Sequence, residues 1–221
     1  MCQVDESEDM LDRIGALVDA SLVVVERSDG PTRYRFLEPV RQFALERLGA
    51  LGPGEEQAIR ARHLAWCLEL CEERAPTRMG EAIEWRARIR RDSPNILAAL
   101  DSCDHLPGGP RAALRILAAV ANVWADSGWA ELREKQIERA LRRPGAEEPS
   151  RERMLCLGMA TIGDWDSALA QQRIEEALDL AVRLGDRSGE GSVLSWLGQR
   201  AMARRALAEA RVLYELSLIH I

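Results

Sequence analysis

Lysine is almost missing from this 221-residue chain: Lys135 stands alone, and nearly every other cation is arginine. Aromatic residues make up only 5%, and six of those ten are Trp. The balance of 30 basic and 36 acidic residues gives a net charge of −6, which argues against a chain that binds a polyanion along its whole surface. Cysteines are few, odd in number and irregularly placed, at Cys2, Cys67, Cys71, Cys103 and Cys156. That pattern argues against a disulfide framework and fits the reduced thiols of a cytoplasm. Long apolar runs are lacking as well. The longest, Ala112 to Ala125, carries Arg115 and Asn122 and falls short of the about 20 apolar residues that span a bilayer. The acidic opening, residues 1–9, has no basic region of the kind that begins a signal peptide. No Gly-x-x-x-x-Gly-Lys-Ser/Thr loop, Gly-x-Ser-x-Gly or His-Glu-x-x-His motif occurs, and Lys135 lies in Leu132-Arg133-Glu134-Lys135 with no glycine turn beside it. The sequence therefore predicts no catalytic residue, no cofactor and no metal site.

What is abundant is Ala, Leu, Arg and Glu, all good helix formers, so the expected fold class is mainly α. Met10, Leu11, Ile14, Leu17 and Val18 recur at helical spacing within residues 7–20. Leu22-Val23-Val24-Val25 is β-branched and reads as a strand, and Ser28-Asp29-Gly30-Pro31 as a turn. Arg33, Tyr34, Arg35 and Phe36 then alternate, with arginines on one face and aromatics on the other, which completes a hairpin. Pro39 suits the first position of a following helix, whose apolar stripe is Val40, Phe43, Ala44 and Leu48. Gly49 through Gly54 marks a boundary. Residues 1–50 thus read as helix, hairpin, helix, the order found at the end of a winged helix.

Beyond Gly54 the pattern predicts only helices, at about 55–74, 79–91, 93–103, 111–126, 129–142, 150–162, 166–184, 188–203 and 206–218. Ser93-Pro94 reads as a cap and first-turn proline that start one of them. Two segments repeat. Leu157-Gly158 recurs forty residues on as Leu197-Gly198, and the same offset relates Ala170 to Ala210, Ile174 to Tyr214 and Ala177 to Ser217. A looser copy begins near Leu117-Ala118. Small residues at fixed points let two antiparallel helices approach, and the larger residue fills the gap. This pattern matches the tetratricopeptide repeat, so residues 55–218 are expected to form an α-solenoid of such helix pairs. The last residues, 216–221, break the pattern and read as a non-native tail.

The few chemical constellations have plainer readings. His63, Cys67 and Cys71 share one helix at four-residue steps, but the first and third lie about 12 Å apart along its axis, too far to converge on one zinc ion. A core face that includes Ile59, Trp66 and Leu70 is the expectation. Arg86, Arg88, Arg90 and Arg91, like Arg33 and Arg35, read as solvated basic residues. Asp164 and Asp166 flank Trp165, and Asp166 reads as a helix cap. Trp85, Trp124, Trp129 and Trp196 read as fillers between stacked helices.

Leu17-Val18-Asp19-Ala20-Ser21-Leu22-Val23, with Arg33-Tyr34-Arg35-Phe36-Leu37-Glu38-Pro39-Val40-Arg41-Gln42-Phe43-Ala44, resembles a segment of the bacterial signal-transducing ATPases called STAND proteins. These include LuxR-like and antibiotic-regulatory-protein-like transcription regulators. The resemblance continues through Arg60-Ala61-Arg62-His63-Leu64-Ala65 and Asp92-Ser93-Pro94-Asn95-Ile96-Leu97-Ala98-Ala99-Leu100, where Ser93-Pro94 departs from the family's usual acidic-Asp-Asn. It implies a winged-helix remnant that follows a nucleotide-binding module and leads into tetratricopeptide repeats. The ATPase module would precede this segment, and the chain would continue at both ends. The implied role is a non-catalytic, cytoplasmic sensor that binds a protein or peptide partner or an effector, with neither nucleic acid nor membrane as its expected partner. Aligned repeats place Arg115, Asn122, Met159, Ile162, Ser195, Gln199 and Met202 along the groove of the solenoid. The alternative is a small winged-helix DNA-binding protein with a helical-repeat dimerisation or scaffold domain.

Overall fold

A computed structural model of the chain describes residues 6–26, 32–73, 79–126, 128–164 and 167–219. The chain is mainly helical, with a single two-stranded antiparallel hairpin among the described residues. It divides into two compact units, Met1–Ala58 and Ile59–Ile221.

In the first unit, helix α1 (Glu6–Asp19) ends at Ser21, whose φ of 57° is left-handed. The Leu22 N–H donates to the Leu17 carbonyl, and the Ser21 N–H to that of Val18, so two carbonyls at the end of the helix are satisfied. Leu22 is used up in that cap. Strand β1 therefore spans Val23–Glu26, one residue later than the sequence pattern places it. Strand β2 is Arg33–Phe36, in the register Val23↔Phe36, Val24↔Arg35, Val25↔Tyr34 and Glu26↔Arg33. Tyr34 and Phe36 thus share a face with Val23 and Val25, and the arginines share the other with Glu26. The expected turn at residues 28–31 lies outside the described residues. Helix α2 (Glu38–Ala50) starts from Leu37, with Pro39 in its first turn, where a missing N–H leaves no bond unmade. Its expected apolar stripe does not enter a core. No residue of α2 is buried, and Phe43 is 55% exposed. Among the described residues of this unit, Val23 is the buried one.

The second unit takes in most of α3 (Pro53–Glu72), then α4 (Met79–Ser102), α5 (Gly109–Asp126), α6 (Ala130–Leu141), α7 (Arg151–Met159), α8 (Ala168–Leu184), α9 (Arg187–Ala203) and α10 (Leu207–Ile219). One expectation fails at once. Ser93-Pro94 does not start a helix; α4 runs through it. A proline in a helix interior removes a hydrogen bond and costs about 3 kcal/mol. Here the flanking Ile89 and Ile96 are fully buried, and Ser93 ties the helix to a neighbour. Its hydroxyl donates to the Ile89 carbonyl at 2.9 Å and accepts the indole N–H of the buried Trp124 at 2.9 Å. Burial on both sides of the proline outweighs the local signal to stop.

Helices α3 to α7 enclose one core, with Cys67, Leu100, Leu117, Trp124 and Ile137 among its buried side chains. A second core lies among α7, α8 and α9, around Met154, Ile174, Ala177 and Val193. Consecutive helices pack as pairs, α5 with α6, α7 with α8 and α9 with α10, while α7 also packs against α5 and α9. The forty-residue repeat has a physical counterpart in this packing. A Cβ on Gly158 would fall inside the ring of Trp196 from α9, and one on Gly198 would come within 2.8 Å of the Tyr214 ring from α10. Ala170, Ile174 and Ala177 on α8, and Ala210 and Ser217 on α10, are buried where the pairs close. Charged groups fasten the layers at their edges. Arg143 donates to Asp104 at 2.6 Å and to the Leu100 carbonyl at 2.7 Å, Arg173 pairs with Glu138 at 2.5 Å, and Arg153 donates to Glu176 at 2.8 Å.

The left-handed cap seen at Ser21 recurs after α8 and α9. After α8, Gly185 takes a φ of 64°, with the Asp186 N–H on the Ala181 carbonyl. After α9, Arg205 takes a φ of 59°, with the Ala206 N–H on the Ala201 carbonyl. A left-handed non-glycine residue costs on the order of 1 kcal/mol. Arg205→Gly is therefore expected to stabilise the chain by up to about 1 kcal/mol in urea unfolding followed by circular dichroism. Gly158→Ala is expected to destabilise it by about 1–3 kcal/mol in the same assay, since the new methyl and the Trp196 ring claim one space. Gly158→Ala combined with Trp196→Ala is expected to cost less than the sum of the two single changes.

Candidate functional site

The described residues contain no group of three or more His, Cys, Asp or Glu placed to hold a metal ion. Cys67 and Cys71 are buried in the core, and His63 approaches the Cys67 sulfur at 3.7 Å. Burial pushes the thiols of Cys67 and Cys71 up to about 12 and that of Cys103 up to about 11. Burial also raises Cys156. Such thiols stay protonated near neutral pH and are poor nucleophiles. The rest of the expected core stripe divides. Leu70 is buried, but Ile59 and Trp66 are exposed, because Leu64, Cys67 and Cys71 set the inward direction of α3 and Trp66 is turned about 100° from Cys67.

The basic clusters are partly engaged, while Arg90 and Arg91 are exposed. Arg86 pairs with Asp126 and Arg88 with Glu73. On the hairpin, Arg35 donates to Glu26 at 2.8 Å. Asp166 and Trp165 lie outside the described residues. The side chain that caps α8 is Ser167, which accepts the Ala170 N–H and donates to Asp164 at 2.5 Å. Trp124 is fully buried and Trp129 is exposed, so the tryptophans do not share one role.

The seven residues expected along a groove fall in different places. Met159 is only 2% exposed and belongs to the core, because α7 is packed against α5, α6, α8 and α9 at once. Ile162 lines a cavity of about 310 Å³ with Glu134, Glu138, Asp164, Leu169 and Arg173. Asn122 is exposed on α5. Ser195, Gln199 and Met202 share one face of α9 by their spacing, and the last two are exposed. Arg115 turns to α3 and grips both carboxylate oxygens of Glu72 at 2.6 Å. Those hydrogen bonds outweigh desolvation and raise the Arg115 pKa.

Arg115 thereby closes one wall of a groove of about 770 Å³ formed by α3, α4 and α5. Trp66, Glu69, Glu72, Glu73 and Arg88 line it. Sequence periodicity missed this groove. The available signal was the helical wheel of α3, on which Leu64, Cys67 and Cys71 form a complete inward line without Trp66.

Comparison with known proteins finds similarity to parts of longer chains. Over 125 residues, 57% of this chain, the sequence is 34% identical to the Mycobacterium tuberculosis protein named "Putative HTH-type transcriptional regulator Rv0890c", and equally so to its Mycobacterium bovis counterpart Mb0914c. The match spans only 14% of the length of those proteins. A 58-residue stretch is 45% identical to "Uncharacterized protein Rv0894" of M. tuberculosis, covering 26% of this chain and 14% of that one. No family model matches the chain, and neither does any solved structure. No described helix is long and apolar enough to cross a membrane.

The buried thiols lead to a pH prediction. In the unfolded chain they ionise at ordinary values, near pH 9, while the folded chain keeps their protons. Above about pH 9 the unfolded state therefore binds fewer protons, so this contribution is intact at lower pH and falls as pH rises toward 12. Urea midpoints are expected to decline above pH 9, with a shallower decline in Cys67→Ala. At pH 8, a thiol reagent is expected to leave Cys67, Cys71, Cys103 and Cys156 unmodified until denaturant is added.

Proposed function

We propose that this chain is a non-catalytic interaction segment of a bacterial transcription regulator. The observation that carries the reading is the similarity to HTH-type regulators over more than half of the chain. The packing of α5–α6, α7–α8 and α9–α10 in consecutive pairs supports a tetratricopeptide-like solenoid, whose successive first helices offer a face to a partner. Arg115, Asn122, Ser195, Gln199 and Met202 are the members of the expected groove with accessible surface on those first helices, Arg115 being held by Glu72. The resemblance of residues 17–44 to STAND proteins supports placing the segment in a cytoplasmic signal-transducing ATPase regulator. There, occupancy of the solenoid would bias a switch elsewhere in the parent chain, the nucleotide-binding module being one such partner.

A DNA-reading role for the hairpin is the weaker reading. Arg35 is tied to Glu26 and Arg41 to Glu38, so little of their charge is left for phosphates.

A photo-crosslinkable residue at position 199 or 202 is expected to capture a protein partner in cells, while one at the exposed position 172 on α8 captures none. Fluorescence anisotropy with duplex DNA at low salt is expected to show no binding. Salt-sensitive DNA binding that disappears in Arg33→Gln/Arg35→Gln would overturn the proposal in favour of the DNA-binding alternative.

A further inference from the structure

The groove between α3, α4 and α5 contains three carboxylates and two guanidiniums. Glu72 is held at both oxygens by Arg115, and Glu73 is paired with Arg88. That leaves Glu69, which is exposed and has no ion-pair partner among the described residues. Three residues before it stands Trp66, 43% exposed on the same helix. The i, i+3 spacing sets the two on neighbouring faces, about 4.5 Å apart along the axis. His63 stacks beside the indole with ring centroids 6.3 Å apart and an interplanar angle of 21°, so the indole is supported on that side. Burial, with Arg60 nearby, lowers the His63 pKa, so this neighbour is neutral at pH 7 and does not repel a cation.

The sign of the ligand follows from the pairing. An anion would have to displace Glu72 from a two-point bond to Arg115, or Glu73 from Arg88. A cation meets Glu69, which is unpaired among the described residues. A planar guanidinium can also lie on an indole face while its N–H edge reaches a carboxylate, a geometry that an ammonium matches less well. We propose that this groove captures an arginine side chain from a partner protein segment, stacked on Trp66 and paired with Glu69. The inference rests on the reading of the chain as an interaction segment and names the chemistry of a second surface, apart from the face of α9.

The test uses the full chain and fluorescent hexapeptides, acetylated and amidated, that carry two arginines, two lysines or two glutamates on an otherwise identical backbone. Anisotropy is expected to rank arginine above lysine, with no binding of the glutamate peptide. Trp66→Ala and Glu69→Gln are each expected to weaken the arginine peptide about threefold or more, and circular dichroism melting checks that both variants remain folded. Arg115→Gln releases Glu72 into the groove and is expected to tighten arginine binding about twofold to fivefold. The opposite result, weaker binding in Arg115→Gln, would overturn the proposal, as would preference for the glutamate peptide or an unchanged affinity in Glu69→Gln. Failure of every peptide while position 199 still crosslinks a partner would sink this site and leave the interaction reading intact.

Discussion

Close approach of helices, both between pairs and within one, is the constraint on which the second unit depends. At Gly158 the backbone of α7 accepts the ring of Trp196, and at Gly198 the backbone of α9 accepts that of Tyr214. Neither ring has room for even a methyl group on the facing helix. Each aromatic contributes a large buried area, and that gain exists only while the opposing residue has no side chain. The α7–α9 and α9–α10 spacings are therefore set by two glycines, and alanines of α8 and α10 are buried beside them.

The ion pairs act on top of this apolar framework. Arg143 is almost fully buried and meets both Asp104 and the Leu100 carbonyl, so it fixes the end of α6 on the end of α4. Partial burial works against the charge on Asp104, but hydrogen bonds from Arg143 and Arg139 prevail and lower its pKa. Exposed pairs such as Arg211 with Glu215 contribute far less. In the groove of α3 the pairs are exposed as well, but Arg88, Arg115, Glu72 and Glu73 each have a partner, whereas Glu69 has none among the described residues.

The two units differ in how far their side chains are buried. The second has two apolar cores, while in the first Val23 is the buried residue among those described and Tyr34, Phe36 and Phe43 are largely exposed. An alternating hairpin and a helical stripe specify which face is apolar; they do not specify what covers it. That difference explains why the apolar stripe of α2 was readable although no residue of α2 is buried. A stripe is a local property, and burial needs a second surface.

The sequence by itself determined the mainly α class, the hairpin with its two faces, most helix positions and the forty-residue spacing of Gly158 and Gly198. These follow from periodicity and capping, which act over a few residues. Only the tertiary structure decided three other points. Helix α4 continues through Pro94, because Ile89, Ile96 and the Ser93–Trp124 hydrogen bond outweigh a local break. Met159 lies in the core, since four helices surround α7. Arg115 faces α3, where Glu72 meets it with both oxygens. Each of these turns on a contact between residues more than twenty positions apart or on the number of helices packed around one. Such contacts have no local period to announce them.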